Sequence, residues 1–113
     1  MGEGRQATLD LLRLDEPPTA LVSSSVQLAL GGMFAFRELG VRIPDDLALA
    51  AFDDAYFAEL LDPPLTAVAY QPREVGEAAA SLLVEAMGED DPEARDLRFE
   101  VRLIRRGSCG CTG

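Results

Sequence analysis

Residues 47–54 read LALAAFDD, an unbroken apolar run of strand length that stops at two aspartates. A short apolar run bounded by turn residues is typical of a buried strand. Two further runs of this kind lie at residues 19–22 and 65–70. Polar residues follow the three runs: serines at 23–25, aspartates at 53–54, and Gln71. The sequence therefore predicts three strands that each end in hydrogen-bonding side chains.

Segments with helical periodicity lie around these runs. A helix is predicted over residues 26–39, because the preceding serines can cap it and Gly40 supplies a C-terminal stop. Residues 73–87 place apolar side chains at i, i+3, i+4, i+7, i+8 and i+11, and Pro72 suits the first position of that helix. A shorter helix is predicted over residues 4–14. The helical pattern is clearest in residues 73–87.

Strands separated by helices predict an α/β fold with a three-layer, mostly parallel sheet and crossover helices. A final strand is expected within residues 97–106, where apolar and polar side chains alternate from Leu97 to Ile104. In open parallel sheets, ligands bind beside the carboxyl ends of the strands. The hydroxyl, carboxylate and amide groups that follow the first three strands would then face one crevice. Such groups suit a polyol or a purine.

Length and composition exclude several classes of protein. A chain of 113 residues makes at most one domain. Its net charge of −10 argues against nucleic-acid binding by these residues alone. Because histidine is absent, imidazole catalysis and His-ligated metals are unavailable. We expect no cofactor and no metal site.

The sequence also carries expectations about its location. The N-terminus lacks the apolar core of a signal peptide, and the longest nearly apolar segment is far shorter than the roughly 20 residues that span a membrane. Two cysteines, Cys109 and Cys111, are too few for a disulfide framework. A soluble, cytoplasmic protein with a flexible tail over residues 107–113 is expected. Arg102, Arg105 and Arg106 are interpreted as a solvated basic face.

Several ordered motifs resemble one known family. They are PTALV at 18–22, ALG at 29–31, RELGVRIPDD at 37–46, FDD at 52–54, PPLT at 63–66, QP at 71–72 and, more loosely, RGS at 106–108. Together these motifs resemble the C-terminal part of the lactose-repressor (LacI/GalR) family of transcription regulators. The resemblance covers about residues 17–87 and the final strand.

The resemblance implies part of a type I periplasmic-binding-protein-like core, in which two α/β lobes close on an effector. A helix-turn-helix headpiece, which these 113 residues do not contain, would bind DNA. Residues 17–71 would form the core of the C-terminal lobe, and residues 72–88 a helix of the other lobe. Since that helix would then lack its sheet, we expect this chain to be a fragment. The function implied is effector sensing and dimerisation in a regulator.

The same resemblance suggests which residues bind the effector. Asp53 matches the effector-contacting carboxylate that follows the apolar strand. Gln71 matches a polar residue near the crossover between lobes, and Arg73 lies at a position that can face the cleft. Ser24 and Ser25 are further candidates. Ser25-Val26 stands where the family usually has Asn-Asp, so one contact to a sugar is missing.

Alternative interpretations remain open for these residues and for the function. Asp53 could be a turn former, and Ser24 or Ser25 could simply cap the following helix. The domain could instead belong to another signalling protein or to a solute-binding protein. A small acidic enzyme using Asp53 and Asp54 is a third possibility, although adjacent strand residues point to opposite faces. We expect no enzyme activity.

Helix 26–39 carries apolar side chains on two faces, and a second apolar face has to be buried by something. One solution is a homodimer; the other is a core helix that is covered on both sides. The residues expected at the dimer interface are Leu28, Phe36, Tyr56, Leu60 and Leu61. The expected partners are thus a sugar-like or purine-like effector and a second copy of the chain, without a membrane.

Overall fold

A computed structural model describes residues 1–111 of the chain. Its helices are α1 (Gly2–Leu12), α2 (Val26–Leu39) and α3 (Pro72–Met87). The strands are β1 (Ala20–Ser23), β2 (Ala48–Phe52), β3 (Thr66–Ala69) and β4 (Arg102–Ile104), and short 3-10 turns occupy Ala58–Leu60 and Gly107–Cys109. The chain divides into two compact units. The first unit contains Met1–Ala69 and residues 103–111, and the second contains Tyr70–Arg102.

The four strands form one sheet in the order β1-β2-β3-β4. β1 and β2 are parallel, with Ala20 opposite Ala48, and β2 and β3 are parallel, with Ala50 opposite Thr66. The predicted α/β fold with a mostly parallel sheet is therefore confirmed. β2 has neighbours on both sides, which accounts for the unbroken apolar run that encodes it.

Helix α2 begins and ends at the residues that its sequence predicts. Ser25 has an extended backbone and its hydroxyl accepts a hydrogen bond from the Leu28 N–H at 3.3 Å, which satisfies one free donor of the first turn. Gly40 adopts the left-handed conformation, with φ of 68°, and closes the helix. Glycine reaches this conformation without the strain that a Cβ would cause.

The hydrophobic core lies in the first unit, between α2, the sheet and the 3-10 turn that follows β2. Its buried members are Val26, Ala29, Phe36, Leu47, Leu49, Ala51, Ala58 and Leu65. Phe36, which was expected at a dimer interface, is only 1% exposed and packs mainly into this core. Phe36 and Val26 both enter this core from α2.

Helix α1 covers a second face of α2 through an unusually close backbone contact. A Cβ atom at Gly31 would collide with the Met1 carbonyl oxygen, and one at Gly4 would collide with the Leu28 carbonyl oxygen. Arg5 also donates two hydrogen bonds to Glu38, at 2.9 and 2.7 Å. Leu28, another residue expected at a dimer interface, is half-buried at this α1 contact.

The C-terminal strand and tail differ from the predictions. The strand within residues 97–106 is only three residues long, Arg102–Ile104, although the alternating pattern begins at Leu97. An alternating pattern shows which side chains share a face, but a strand extends only where a neighbouring strand supplies backbone partners. The neighbour of β4 is β3, which has just four residues, so β4 is short as well. Residues 107–109 are not a flexible tail, because they form a 3-10 turn in which Ser108 is fully buried.

In the second unit, α3 has the predicted bounds, with Pro72 at its first position. With residues 1–111 described, no α3 residue is buried. The apolar stripe of the helix is at most half-buried, and Leu83, Val84 and Met87 are exposed. The helix forms, and within its own unit its apolar stripe is covered only in part, by the segment around residues 92–95.

None of the helices within residues 1–111 combines the length and the apolar composition needed to cross a bilayer.

Candidate functional site

The carboxyl ends of β1 and β2 bring two of the predicted polar segments to one edge of the sheet. β1 ends at Ser23 and β2 at Phe52, and the two strands are adjacent and parallel with Ser23 opposite Ala51. Because neighbouring parallel strands end on the same side, the serines at 23–25 and the aspartates at 53–54 follow at this edge. Hydroxyl and carboxylate groups are therefore gathered there in the first unit.

Asp53 has an unusual backbone at this edge. Its φ of 80° lies in the left-handed region, which only aspartate and asparagine among ordinary residues adopt with some ease. Its N–H donates to the Val68 carbonyl at 3.0 Å, which ties this turn to β3. The residue is half-buried. Its carboxylate is therefore held at the sheet edge, where it can accept hydrogen bonds.

The serines at this edge differ in their roles. Ser25 caps α2, so the structural alternative for this residue is supported by a direct contact. Ser23 donates from its hydroxyl to the Ser25 carbonyl at 2.8 Å, which fixes the turn between β1 and α2. Ser24 is exposed and lines a small cavity of about 270 Å³ beside α1 and α2. Ser24 is thus the serine least occupied by internal contacts.

Gln71 and Arg73 belong to the second unit. Gln71 stands at the N-cap position of α3, and its carbonyl accepts from the Val75 N–H at 3.1 Å. Arg73 donates to Glu77 at 3.0 Å one helical turn further on, and its side chain is 90% exposed. Asp53 and the serines lie in the first unit, at the same edge of the sheet. Gln71 and Arg73 lie in the second unit, at the start of α3.

A second feature of the first unit, absent from the sequence-based site, is a clamp formed by residues 106–108 on β2 and β3. Ser108 lies at its centre, fully buried. Its hydroxyl donates to the Leu49 carbonyl at 2.6 Å and accepts from the Thr66 N–H at 2.8 Å. The clamp thus joins two neighbouring strands through one side chain.

Arg106 extends the clamp to the residue after Asp53. Its guanidinium donates to both carboxylate oxygens of Asp54, at 2.8 and 3.0 Å, and to the Leu65 carbonyl at 2.7 Å. The hydrogen bonds with Asp54 raise the pKa of Arg106, and partial burial opposes this shift. The interpretation of Arg106 as a solvated residue is wrong, because its side chain is 17% exposed. A sequence pattern gives little sign of a pair separated by 52 residues.

A groove of about 630 Å³ lies on the outer face of α2 in the first unit, and neither Asp53 nor the serines line it. Its lining residues are Leu30, Met33, Phe34, Phe36, Arg37, Val41, Arg42, Ile43, Leu61, Asp62 and Pro63. Of the residues expected at a dimer interface, Phe36 and Leu61 line this groove, and Tyr56 and Leu60 are exposed. Leu30 and Met33 also line the groove, but they were not among the residues expected at an interface. Their i, i+3 spacing places them on a common face of the helix.

No cluster of three or more carboxylate or cysteine side chains within the described residues is arranged to hold a metal ion. The chemistry available at the sheet edge is therefore hydrogen bonding from hydroxyls and a carboxylate.

Comparison with known proteins gives consistent matches along the chain. Residues 2–109 match the family described as periplasmic binding protein-like domain. The chain is 34% identical over 105 residues to the HTH-type transcriptional repressor CytR of Escherichia coli, which covers 93% of this chain and 31% of CytR. It is 36% identical over 106 residues to the HTH-type transcriptional regulator MalR of Streptomyces coelicolor, covering 94% and 30%. The chain thus spans about a third of the length of these relatives.

Solved structures give the same result. A LacI-type transcriptional regulator from Bacillus cereus subsp. cytotoxis superposes with a TM-score of 0.85 at 29% identity, covering 94% of this chain and 38% of that one. A LacI family regulator from Enterococcus faecium, with bound ribose, has a TM-score of 0.76 at 29% identity, covering 95% and 39%.

Proposed function

This chain belongs to the family of periplasmic binding protein-like domains, and from that premise we propose that it senses a small-molecule effector as part of a LacI-type transcription regulator. The observation that carries the proposal is the position of Asp53, a half-buried aspartate that follows β2 at the carboxyl edge of a parallel sheet. Ligands of parallel α/β proteins bind at this edge.

The effector proposed is polyhydroxylated, such as a sugar, or purine-like. A carboxylate accepts hydrogen bonds from hydroxyl and amino groups, and the Ser24 hydroxyl at the same edge can both donate and accept. Relatives of the chain from Enterococcus faecium and Lactobacillus casei were solved with bound ribose and bound sucrose. The assignment of Gln71, Arg73 and Ser25 to the same site stays a prediction.

We propose that residues 17–71 form the core of one lobe and that residues 72–88 belong to the other lobe of a two-lobed domain. The apolar stripe of α3, of which no residue is buried within residues 1–111, supports this division. Effector binding between the lobes would increase the population of their closed arrangement. In a regulator, this change in conformation alters the affinity of a second site. The net charge of −10 favours DNA contact by a separate headpiece rather than by these residues.

The effector proposal is tested by saturation-transfer NMR on the purified chain, with ribose, glucose and hypoxanthine as separate probes. This method detects the weak binding expected when one lobe alone contacts the ligand. We expect a signal for at least one probe, and we expect Asp53→Asn to abolish it. Asparagine tolerates the left-handed backbone, so this change removes the charge and leaves the turn intact.

The matched control is Asp45→Asn, which neutralises an exposed carboxylate in the turn before β2. This variant should keep the signal. The proposal fails if none of the three probes gives a signal, or if Asp53→Asn binds as well as the unchanged chain does.

A second copy of the chain is the occupant that we propose for the groove on α2. Phe34 is 51% exposed there, and Met33 and Leu61 extend the apolar surface. Arg37 and Asp62 line the same groove. In a two-fold symmetric dimer the same patch meets itself, so each copy can present its arginine to the aspartate of the other.

Sedimentation velocity tests this interface. We expect Met33→Glu or Leu61→Glu to convert a dimer to a monomer, because each places an unpaired charge in an apolar contact. Gln27→Glu adds the same charge to an exposed α2 position outside the groove and should leave the mass unchanged. A dimer that persists in both groove variants would exclude the groove as the interface.

A further inference from the structure

The two cysteines lie on one turn at the end of the clamp. The structure holds Ser108 at the base of this turn by buried hydrogen bonds to Leu49 and Thr66. Gly110 stands between the cysteines in the left-handed conformation, with φ of 68°, and its N–H donates to the Gly107 carbonyl at 3.2 Å. This turn brings the Cys111 N–H to 3.3 Å from the Cys109 sulfur.

The sulfur atoms are connected by specific contacts. The Cys111 N–H donates to the Cys109 sulfur at 3.3 Å, and the Cys111 thiol lies 3.9 Å from the Cys109 carbonyl oxygen. The neutral Cys109 thiol donates to the Arg106 carbonyl at 3.4 Å. Cys109 is half-buried and Cys111 is exposed, and both are free thiols. One anchored sulfur and one accessible sulfur therefore face a shared turn.

We propose that Cys109 and Cys111 form a redox-active dithiol, which a hydroperoxide oxidises reversibly to a disulfide within the turn. Nothing in the effector-sensing proposal requires this chemistry, so the two stand independently. In the first step the Cys109 thiolate attacks one oxygen of hydrogen peroxide and the O–O bond breaks. Cys109 becomes a sulfenic acid, and hydroxide leaves and takes up a proton to form water.

In the second step the Cys111 sulfur attacks the Cys109 sulfur. The S–S bond forms as the S–O bond breaks, and the departing hydroxide leaves as water with the proton of Cys111. Overall, two thiols lose two hydrogen atoms and one peroxide is reduced to two waters.

The contacts assign different roles to the two cysteines. Burial raises the pKa of Cys109, but hydrogen bonds from Cys111 and Thr66 outweigh it and hold that pKa below its usual value. The contact with Cys109 raises the pKa of Cys111, and burial acts in the same direction. Because the thiolate is the nucleophile, Cys109 reacts first and the accessible Cys111 resolves the intermediate.

The spacing favours a reversible bond. Cysteines two residues apart close a very small loop, so the cross-link removes little entropy from the unfolded chain. A disulfide that stabilises the fold little is readily reduced. This property is typical of regulatory disulfides rather than structural ones.

The experiment treats the reduced chain with one equivalent of hydrogen peroxide and follows intact mass under non-reducing conditions. We expect a loss of about 2 Da in the monomer, complete protection from a thiol-alkylating reagent, and full reversal by dithiothreitol. A cross-linked dimer as the main product, or two thiols that remain alkylatable, would overturn the proposal.

Two matched variants separate the roles. Cys111→Ser should accumulate a sulfenic acid on Cys109 that dimedone traps, whereas Cys109→Ser should react at least about tenfold more slowly. Equal rates in the two variants would refute the assigned order. Cys111 is exposed at the end of the turn, so Cys111→Ser keeps the test valid even if Cys109→Ser fails to fold.

Discussion

Helix α2 of the first unit and helix α3 of the second are both amphipathic, yet they differ completely in burial. Phe36 of α2 is 1% exposed, whereas Leu83 of α3 is 62% exposed. Both helices begin and end where their sequences predict. The difference lies in the surface opposite each apolar face, because α2 packs with residues of the sheet and no residue of α3 is buried within residues 1–111.

Periodicity therefore predicts that a helix forms and which of its faces is apolar, but it does not supply the partner. Most of the stability of a helix in a protein comes from packing that face. We expect the free energy of unfolding to depend on residues of the first unit and to be nearly independent of α3. Three comparisons between the units test this contrast, and a fourth measurement concerns an exposed ion pair of the first unit.

The largest effect is expected for Phe36→Ala compared with Leu83→Ala. The first change removes a buried ring and leaves a cavity, so it should cost about 3–5 kcal/mol in urea unfolding. The second removes an exposed side chain and should change stability by less than about 0.5 kcal/mol. Similar losses for the two variants would show that α3 packs as firmly as α2 does.

A smaller effect is expected at the clamp, for Ser108→Ala compared with Ser81→Ala. Without the Ser108 hydroxyl, the Leu49 carbonyl and the Thr66 N–H lose their buried partner, which should cost about 2–3 kcal/mol. Ser81 is exposed on α3, and its loss should cost under about 0.5 kcal/mol. Chemical denaturation of both variants checks this. A stable Ser108→Ala chain would mean that water replaces the hydroxyl.

The variants Arg106→Gln and Arg73→Gln compare the stability contributed by a largely buried ion pair with that contributed by an exposed one. Arg106 and Asp54 are 17% and 21% exposed, so breaking their bidentate contact should cost about 1–3 kcal/mol. Arg73 and Glu77 are 90% and 66% exposed, and that pair should contribute about 0–0.5 kcal/mol. Added salt should weaken only the second pair noticeably. Equal costs would contradict the role assigned to Arg106.

The smallest effect is expected from Asp46, an exposed residue of the first unit. Hydrogen bonds from Arg42 lower the pKa of Asp46 from its usual 3.8 to about 2. Since the folded pKa is the lower one, this contribution to stability is present above pH 4 or so and is lost as the pH falls toward 2. NMR titration of the carboxyl checks the shift, and Arg42→Gln should return the midpoint toward its usual value.

Much of the fold could be predicted because its signals are local. Ser25 and Gly40 mark the two ends of α2 through contacts within four residues, and Pro72 marks the start of α3. The apolar run of β2 predicted a buried strand, and the parallel pairing placed Asp53 at the carboxyl edge as expected. The proline and glycine signals depend on local backbone conformation, and the serine signal depends on a hydrogen bond to a backbone N–H three residues away.

The clamp and the groove could not be predicted because they depend on distant partners. Ser108 contacts residues 42 and 59 positions away, and its burial depends on how β2 and β3 pair. Phe36 was placed at an interface because its helix has two apolar faces, and only the packed structure shows which of them meets the core. The shortened β4 reflects the length of its neighbour, which no alternating pattern encodes.

The positive φ of Asp53 has a consequence for protein engineering. Glycine adopts this backbone more easily than aspartate, so Asp53→Gly is a natural choice for anyone seeking a more heat-resistant version of the chain. The same change would delete the carboxylate on which effector sensing is proposed to depend. Selection for thermal resistance and selection for ligand response would therefore drive this position toward different amino acids, and an optimised scaffold could lose its sensing ability unnoticed.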